Sequence, residues 1–157
     1  MERTLILLKP DAVQRRLIGR IIQRFEDKGL AVVGMKLVRL SRALAERHYA
    51  PHQGKPFFPT LIDYITSGPV VAMVLEGPRA VSVTRTLMGA TAGYEASPGT
   101  IRGDFGADLT LNLVHGSDSP ETADREVALF FTKDELFDYT PAGTEWVFGS
   151  CGPAARG

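Results

Sequence analysis

Apolar and polar positions change period several times along the chain, and each change marks an element. Thr4 to Leu8 is apolar without alternation, the pattern of a strand covered on both faces. Pro10-Asp11 stops that strand and offers Asp11 as a helix N-cap. Val13, Leu17, Ile18, Ile21, Ile22 and Phe25 then fall on one helical face, and Gly29 ends the helix. Leu30 to Leu40 reads as a second strand. Ser41 caps a short helix that reaches Tyr49 and is cut off by Pro51. Pro59 to Thr66 suits another short helix, and Val70 to Leu75 a third buried strand. Gly77-Pro78 opens a helix to Met88, with proline at the favoured first position. Ala90 to Gly106, rich in glycine, reads as a long loop of the kind that is usually functional or disordered. Leu113 to His115 is a short fourth strand. Ser119-Pro120 starts a last helix whose apolar face is Ala123, Val127, Phe130 and Phe131.

This order, with the main helices on one face, predicts an α+β ferredoxin-like sandwich on a four-stranded antiparallel sheet. A doubly wound parallel sheet is the competing arrangement. No linker divides the 157 residues, so the chain reads as one domain over 1–148, with 149–157 as a flexible tail. Lys plus Arg and Asp plus Glu are 18 each, a balance unlike that of a nucleic-acid coat, so any anionic ligand must meet a local cluster of cations. The one cysteine, Cys151, cannot form an internal disulfide, and the Leu5–Leu8 run is too short for a signal core or a membrane span. A cytoplasmic enzyme is the expectation, with no membrane and no specific nucleic acid among its partners.

The most informative segment is Asn112 to Ser119, in which His115 leaves a buried strand and is followed by Gly116 and Ser117. A neutral imidazole can attack phosphorus directly if a partner holds its orientation. Glu126 borders the apolar face of the last helix and is the candidate partner, with Ser117 able to bridge the two. Spacing alone favours the plainer reading of a strand-end histidine with satisfied hydrogen bonds and a solvated helix glutamate. Lys9, Arg85, Thr91 and Arg102 are candidate phosphate contacts, since phosphoryl transfer needs cations and donors around the moving oxygens. Neither a Gly-x4-Gly-Lys phosphate loop nor a dinucleotide fingerprint is present. His48 and His52 have metal-ligand spacing on a helix, but Pro51 interrupts it. A binding protein without catalysis, a nucleic-acid-binding sheet module and a serine hydrolase are the other classes considered. The last lacks a Gly-x-Ser-x-Gly elbow.

The segment Asn112-x-x-His115-Gly116-Ser117-Asp118-Ser119 resembles the active-site signature of nucleoside diphosphate kinases. The likeness runs from Thr4–Ala12 through Lys55–Phe58 and Met88–Thr91 to Pro98–Phe105. It implies phosphoryl transfer from ATP or another nucleoside triphosphate to diphosphates by a ping-pong cycle through a phosphohistidine. By resemblance the phosphorylated histidine falls on His115, its orienting glutamate on Glu126 and the serine on Ser117. Phosphate contacts fall on Tyr49, His52, Arg85, Thr91 and Arg102, and ribose contacts on Lys9 and Asn112. The base stacks on Phe57, with Leu109 as the opposite wall. Magnesium is the implied cofactor, held mainly by nucleotide phosphates rather than by a protein metal site. The arm at 137–148 resembles that of hexameric members and implies a homohexamer anchored by Trp146 and Phe148, with a tetramer as the alternative. The chain departs from the pattern at two sites. Ala92-Gly93 stands where Asn-Pro is usual, which questions the rigidity of that loop, and Leu111 stands where a polar residue is common.

Overall fold

In the computed structural model residues 1–149 are described; Cys151 and the tail beyond Gly149 lie outside them. Strand β1 is Glu2–Leu8, followed by helices α1 (Pro10–Gln14) and α2 (Ile18–Asp27) and strand β2 (Ala31–Val38). A helical hairpin of α3 (Arg42–His48) and α4 (Phe58–Thr66) precedes β3 (Val70–Gly77) and α5 (Ala80–Met88). Helix α6 (Ile101–Phe105), β4 (Val114–Gly116), α7 (Pro120–Phe130) and α8 (Thr144–Phe148) complete the chain.

The four strands form one antiparallel sheet in the order β2-β3-β1-β4, the ferredoxin-like arrangement expected from the element order. One expectation fails: the helices cover both faces, not one. Ile6, Leu8, Met73 and Leu75 pack with Ile21, Phe25 and Met88 on the α2–α5 side, whereas Leu5, Leu7, Ala72 and Val74 pack with Ala45, Ile62, Ile65 and Phe130 on the other. Successive side chains of a strand point to opposite faces, so the unbroken apolar run of β1 supplies both cores at once. Burying both faces is what a chain of this size needs to outweigh its conformational entropy.

Several local expectations are also corrected. The single helix read through Val13 and Phe25 is two helices, broken where Arg16 takes φ +59° and Leu17 N–H donates to Ala12 O. The apolar spacing survives because the turn preserves the face. Helix α5 begins at Ala80 rather than Pro78, after Arg79 at φ +54°, and the Glu2 carboxylate accepts from Val81 N–H at its first turn. Asp11 is not an N-cap; Lys9 holds that position without a side-chain cap. Ser41, by contrast, caps α3 by accepting from Leu44 N–H at 3.1 Å.

The stretch from Ala90 to Gly106 is ordered by backbone contacts. It contains a 3₁₀ turn at Gly93–Glu95 and the short helix α6. Gly93 N–H donates to Asp108 O at 3.0 Å, and a Cβ at Gly93 would lie 2.4 Å from the carbonyl carbon of Gly106. A proline here would lose that donor and collide with the facing backbone. Ala92-Gly93 therefore fixes the loop by hydrogen bonding and close approach, where a proline would use its ring. Leu111 is exposed, while its N–H donates to the Asp108 carboxylate beside that of Thr110. The variant Gly93→Pro is expected to lower the unfolding free energy read from urea denaturation by about 1–3 kcal/mol, and with it the midpoint. An unchanged midpoint would mean that the Asp108 contact does not hold the loop.

Candidate active site

Strand β4 runs antiparallel to β1 with His115 opposite Leu7. Gly116 faces the α2–α5 layer, where a Cβ would lie 3.0 Å from the Met88 sulfur, so glycine lets α5 close on the strand. His115 points the other way, toward α3 and α7. Ser119 caps α7 by accepting from Thr122 N–H at 3.1 Å, and Pro120 occupies its first position. That start sets the phase that puts Glu126 between Ala123 and Phe130 on the buried side.

Glu126 is 5% exposed. Its Oε2 accepts the Ser117 hydroxyl at 2.6 Å and lies 3.1 Å from His115 Nε2. Burial alone would raise the pKa of this carboxyl, but the hydrogen bonds and charge from His115 and the bond from Ser117 hold it below the ordinary value. An ionised carboxylate only accepts, so Nε2 of His115 carries the proton and donates it, leaving the lone pair on Nδ1. Ser117 in turn accepts from Leu5 N–H at 3.3 Å, which ties the pair to β1. The three predicted residues His115, Glu126 and Ser117 thus meet in one hydrogen-bonded set.

His48 stands beside this set. Its ring meets that of His115 edge-on at 4.5 Å and also packs on Tyr49 and Phe130. Its Nδ1 lies 3.8 Å from Glu126 Oε1, and neither nitrogen has a protein hydrogen-bond partner. Burial, then the neighbouring His115, lowers its pKa to about 3, with Glu126 opposing. His52 lies past the end of α3 and stacks on Tyr49, with centroids 6.1 Å apart. Among the described residues His48, His115 and Glu126 are the one His/Cys/Asp/Glu group close enough to share an ion. Two nitrogens and a single carboxylate, whose Oε2 already accepts two hydrogen bonds, suit a hard divalent cation poorly.

A second cluster lies past the end of β1. Lys9 is buried and donates to Asn112 Oδ1 at 2.7 Å. Burial, then Arg102, lowers its pKa to about 8, and Asp11 acts against them. Arg102 is buried on α6 rather than displayed on a loop. It donates to Asn112 O at 3.1 Å, Gly89 O at 2.9 Å and Val114 O at 2.7 Å. Three of the five guanidinium N–H groups thus brace the backbone around His115, and burial, then Arg85, lowers its pKa to about 10. Asn112 Nδ2 donates to Thr91 O and Leu109 O, which links two further predicted residues to the same cluster. Leu113 takes φ +72°, a left-handed conformation costing a leucine about 1 kcal/mol or more.

The remaining predicted residues are looser. The Tyr49 hydroxyl is buried without a protein partner, and burial pushes its pKa up. Phe57 is 49% exposed with its ring 5.5 Å from that of His52, and Leu109 is 54% exposed. Arg85 Nη1 donates to Asp118 at 2.6 Å, and both side chains are exposed. Sequence reasoning weighed His48 only as a metal ligand beside His52, gave Asp118 no role of its own, and missed the turn around Leu113. His48 was within reach, since Leu44, Ala45 and His48 share one helical face, but Asp11 contacts across 102 positions had no local signal.

The family model for nucleoside diphosphate kinase matches residues 2–136. A nucleoside diphosphate kinase of Archaeoglobus fulgidus is 57% identical over 148 residues, covering 94% of this chain and 98% of its own. That of Desulfitobacterium hafniense is 58% identical over 147 residues, covering 94% and 99%. Among solved structures, a halophilic nucleoside diphosphate kinase from Halobacterium salinarum in complex with CDP superposes with a TM-score of 0.92 at 54% identity, over 94% of this chain and 98% of that one. These matches make the protein a phosphotransferase. The chain belongs to the nucleoside diphosphate kinase family and moves phosphoryl groups between nucleotides.

The unpaired, neutral His48 gives the site a pH signature. An unfolded chain protonates this residue near 6.5, whereas the folded chain refuses the proton until about 3. Between those values the unfolded state binds more protons, so stability falls as pH falls. Urea denaturation is expected to show that loss already between pH 6.5 and 4.5, above the range of Glu126, and His48→Phe is expected to flatten it to the small slope left by His52. An equal slope in the variant would mean that His48 is not the group responsible.

Proposed function

We propose that Nδ1 of His115 is the phosphoryl carrier, and the observation that supports this most is the Nε2–Glu126 hydrogen bond that leaves Nδ1 as the free nitrogen. In the first half-reaction Nδ1 attacks the γ-phosphorus of a nucleoside triphosphate. The new N–P bond forms as the P–O bond to the β-phosphate breaks, and the electron pair leaves with the diphosphate. His115 becomes positively charged and keeps its Nε2 proton, which the Glu126 carboxylate stabilises. In the second half a terminal oxygen of another diphosphate attacks the phosphorus and releases Nδ1. Ser117 keeps Glu126 in place in both directions.

Lys9 and Asn112 meet the ribose, and Arg102, with the donors it retains, meets phosphate together with Tyr49, His52, Arg85 and Thr91. Arg85 gives up only an exposed ion pair with Asp118, worth little in water, to do so. Phe57 stacks on the base opposite Leu109, and weak base specificity follows, since every base has a π-face. CDP in the halophilic relative supports a nucleotide in this cleft. Reactions of this kind use a divalent metal. We take it to be magnesium, supplied with the nucleotide phosphates, because the nearby protein groups are cations or an engaged carboxylate. Bound with the nucleotide, it would offset the negative charge of the phosphates that Arg102 and Arg85 also meet.

We also read residues 1–148 as one domain that works in the cytoplasm; no helix among the described residues is long and apolar enough to cross a membrane. A homohexamer is the proposed assembly. Trp146, 88% exposed, is the anchor it offers. Phe148 is not a second anchor, since its ring turns back toward Gly29 of its own chain. Light scattering is expected to give the mass of six chains, and Trp146→Ala to reduce it; a tetramer in the parent chain would refute the hexamer.

The test of the carrier is intact-protein mass after brief incubation with magnesium and ATP. One acid-labile phosphoryl group is expected, discharged by an added nucleoside diphosphate and absent in His115→Ala, which should fold but not transfer. Transfer retained by His115→Ala would remove His115 from the role. A parent chain that binds ATP without any adduct would fit a non-catalytic relative.

A further inference from the structure

Asp11 and Tyr64 have no part in the chemistry above, yet they converge on the residue that turns the chain into β4. Leu113 sits two residues before His115 in the left-handed region, at φ +72°. A leucine holds that conformation only when its surroundings impose it. Both of its backbone polar groups are engaged: its N–H donates to Asp11 Oδ2 at 3.1 Å, and its carbonyl accepts from Lys9 N–H at 2.8 Å. The other oxygen of Asp11 accepts the hydroxyl of Tyr64. Tyr64 lies on α4, the helix that begins beside Phe57. Its hydroxyl is held as a donor by its closeness to Asp11, and its ring lies under Lys9, with Nζ 6.0 Å from the centroid.

The same short stretch is braced from its other side, where Arg102 takes the carbonyls of Asn112 and Val114. Arg102 holds the carbonyls before and after Leu113, and Asp11 holds the amide of the strained residue itself. With Asp11 unsupported, the Leu113 amide has no firm partner, and only the Lys9 N–H bond to its carbonyl resists relaxation toward negative φ. Such a rotation would re-aim Val114 and His115, because the side-chain direction of a strand follows the backbone that enters it. A shift of the nucleophile that unfolds nothing can still raise the barrier substantially, since attack on phosphorus requires alignment.

We propose that Tyr64 and Asp11 form a positioning strut that holds the Leu113 turn and thereby aims His115, linking helix α4 at the base end of the cleft to the phosphoryl end. The proposal rests on His115 being the phosphoryl carrier. Neither residue touches the reacting atoms; both act through the Leu113 backbone. Tyr64→Phe is the cleaner variant, because it keeps the ring, the Asp11 carboxylate and hence the charge environment of Lys9, and removes only the hydroxyl. Asp11→Ala removes the whole strut.

The experiment is single-turnover phosphorylation of the enzyme by magnesium ATP, read by rapid quench, with steady-state kcat and KM and thermal melting on the same preparations. Tyr64→Phe is expected to slow phosphorylation by about tenfold, with KM for ATP near that of the parent. Asp11→Ala should slow it further, and the double variant should be no slower than Asp11→Ala alone, because the two side chains act as one unit. A Tyr64→Phe enzyme that melts like the parent and phosphorylates at the parental rate would overturn the strut. A loss expressed wholly in KM would overturn it too, and would place Tyr64 in nucleotide binding. The failure of the underlying reading looks different: the parent chain itself would then show no phosphohistidine.

Discussion

A carboxylate buried against the sheet is the constraint on which the site turns. Glu126 has almost no water to stabilise its charge, so it needs protein donors, and an ionised carboxylate without them would be forced to take up a proton. Ser117 and His115 supply the donors, and each satisfies a second demand in doing so. Ser117 also takes the amide of Leu5, which fixes the edge where β4 leaves β1. His115 gives up Nε2 and is left with one usable nitrogen. The anion therefore chooses the tautomer, the tautomer leaves Nδ1 as the atom proposed to carry the phosphoryl group, and α7 must start at Ser119 for the anion to lie in phase with the sheet. His48 fits the same logic. A protonated imidazole next to His115 would compete for Glu126 and repel the charged, phosphorylated ring, and burial keeps it neutral.

The cations are kept apart from this anion. Lys9 and Arg102 are buried past the end of β1, yet among the described residues neither is paired with Glu126 or with any other carboxylate within hydrogen-bond reach. Their donors go to carbonyl and amide oxygens, which are weaker partners than a charge. A buried cation held this way remains attractive to an arriving anion, at the cost visible in the lowered pKa values of both groups. Arg102 is more than a ligand candidate, since the backbone carrying His115 depends on it. Substitutions there mix loss of binding with loss of geometry, and a simple reading of Arg102 as a loop cation would assign the second to the first.

The elements were legible wherever periodicity was strong. The continuous apolar run of Thr4–Leu8 announced a strand buried on two faces, and Ser119-Pro120 with Ala123, Val127 and Phe130 announced both the start and the inward face of α7. The placement of helices on both faces was already implicit in that β1 pattern, although element order alone suggested one face. What periodicity cannot carry is a turn that keeps the apolar face in phase, as at Arg16, or an interaction between distant residues. Asp11 looked like a cap because capping is the local use of an aspartate after a strand. Its real partners, Leu113 and Tyr64, lie far along the chain and become neighbours only when β4 docks on β1.

The loop at 92–93 shows how one constraint can be met by two chemistries. A proline restricts the unfolded chain and so lowers the entropy lost on folding, without any contact being needed. Gly93 has the opposite effect on the unfolded chain and must be compensated in the folded one. The Asp108 carbonyl accepting its N–H, and the close fit of its Cα against Gly106, are that compensation. Because Asp108 also caps the amides of Thr110 and Leu111, the carbonyl and carboxylate of a single residue organise the approach to Asn112. The rigidity of the loop therefore passes directly to the residue that holds Lys9, which couples an apparently peripheral replacement to the cation end of the cleft.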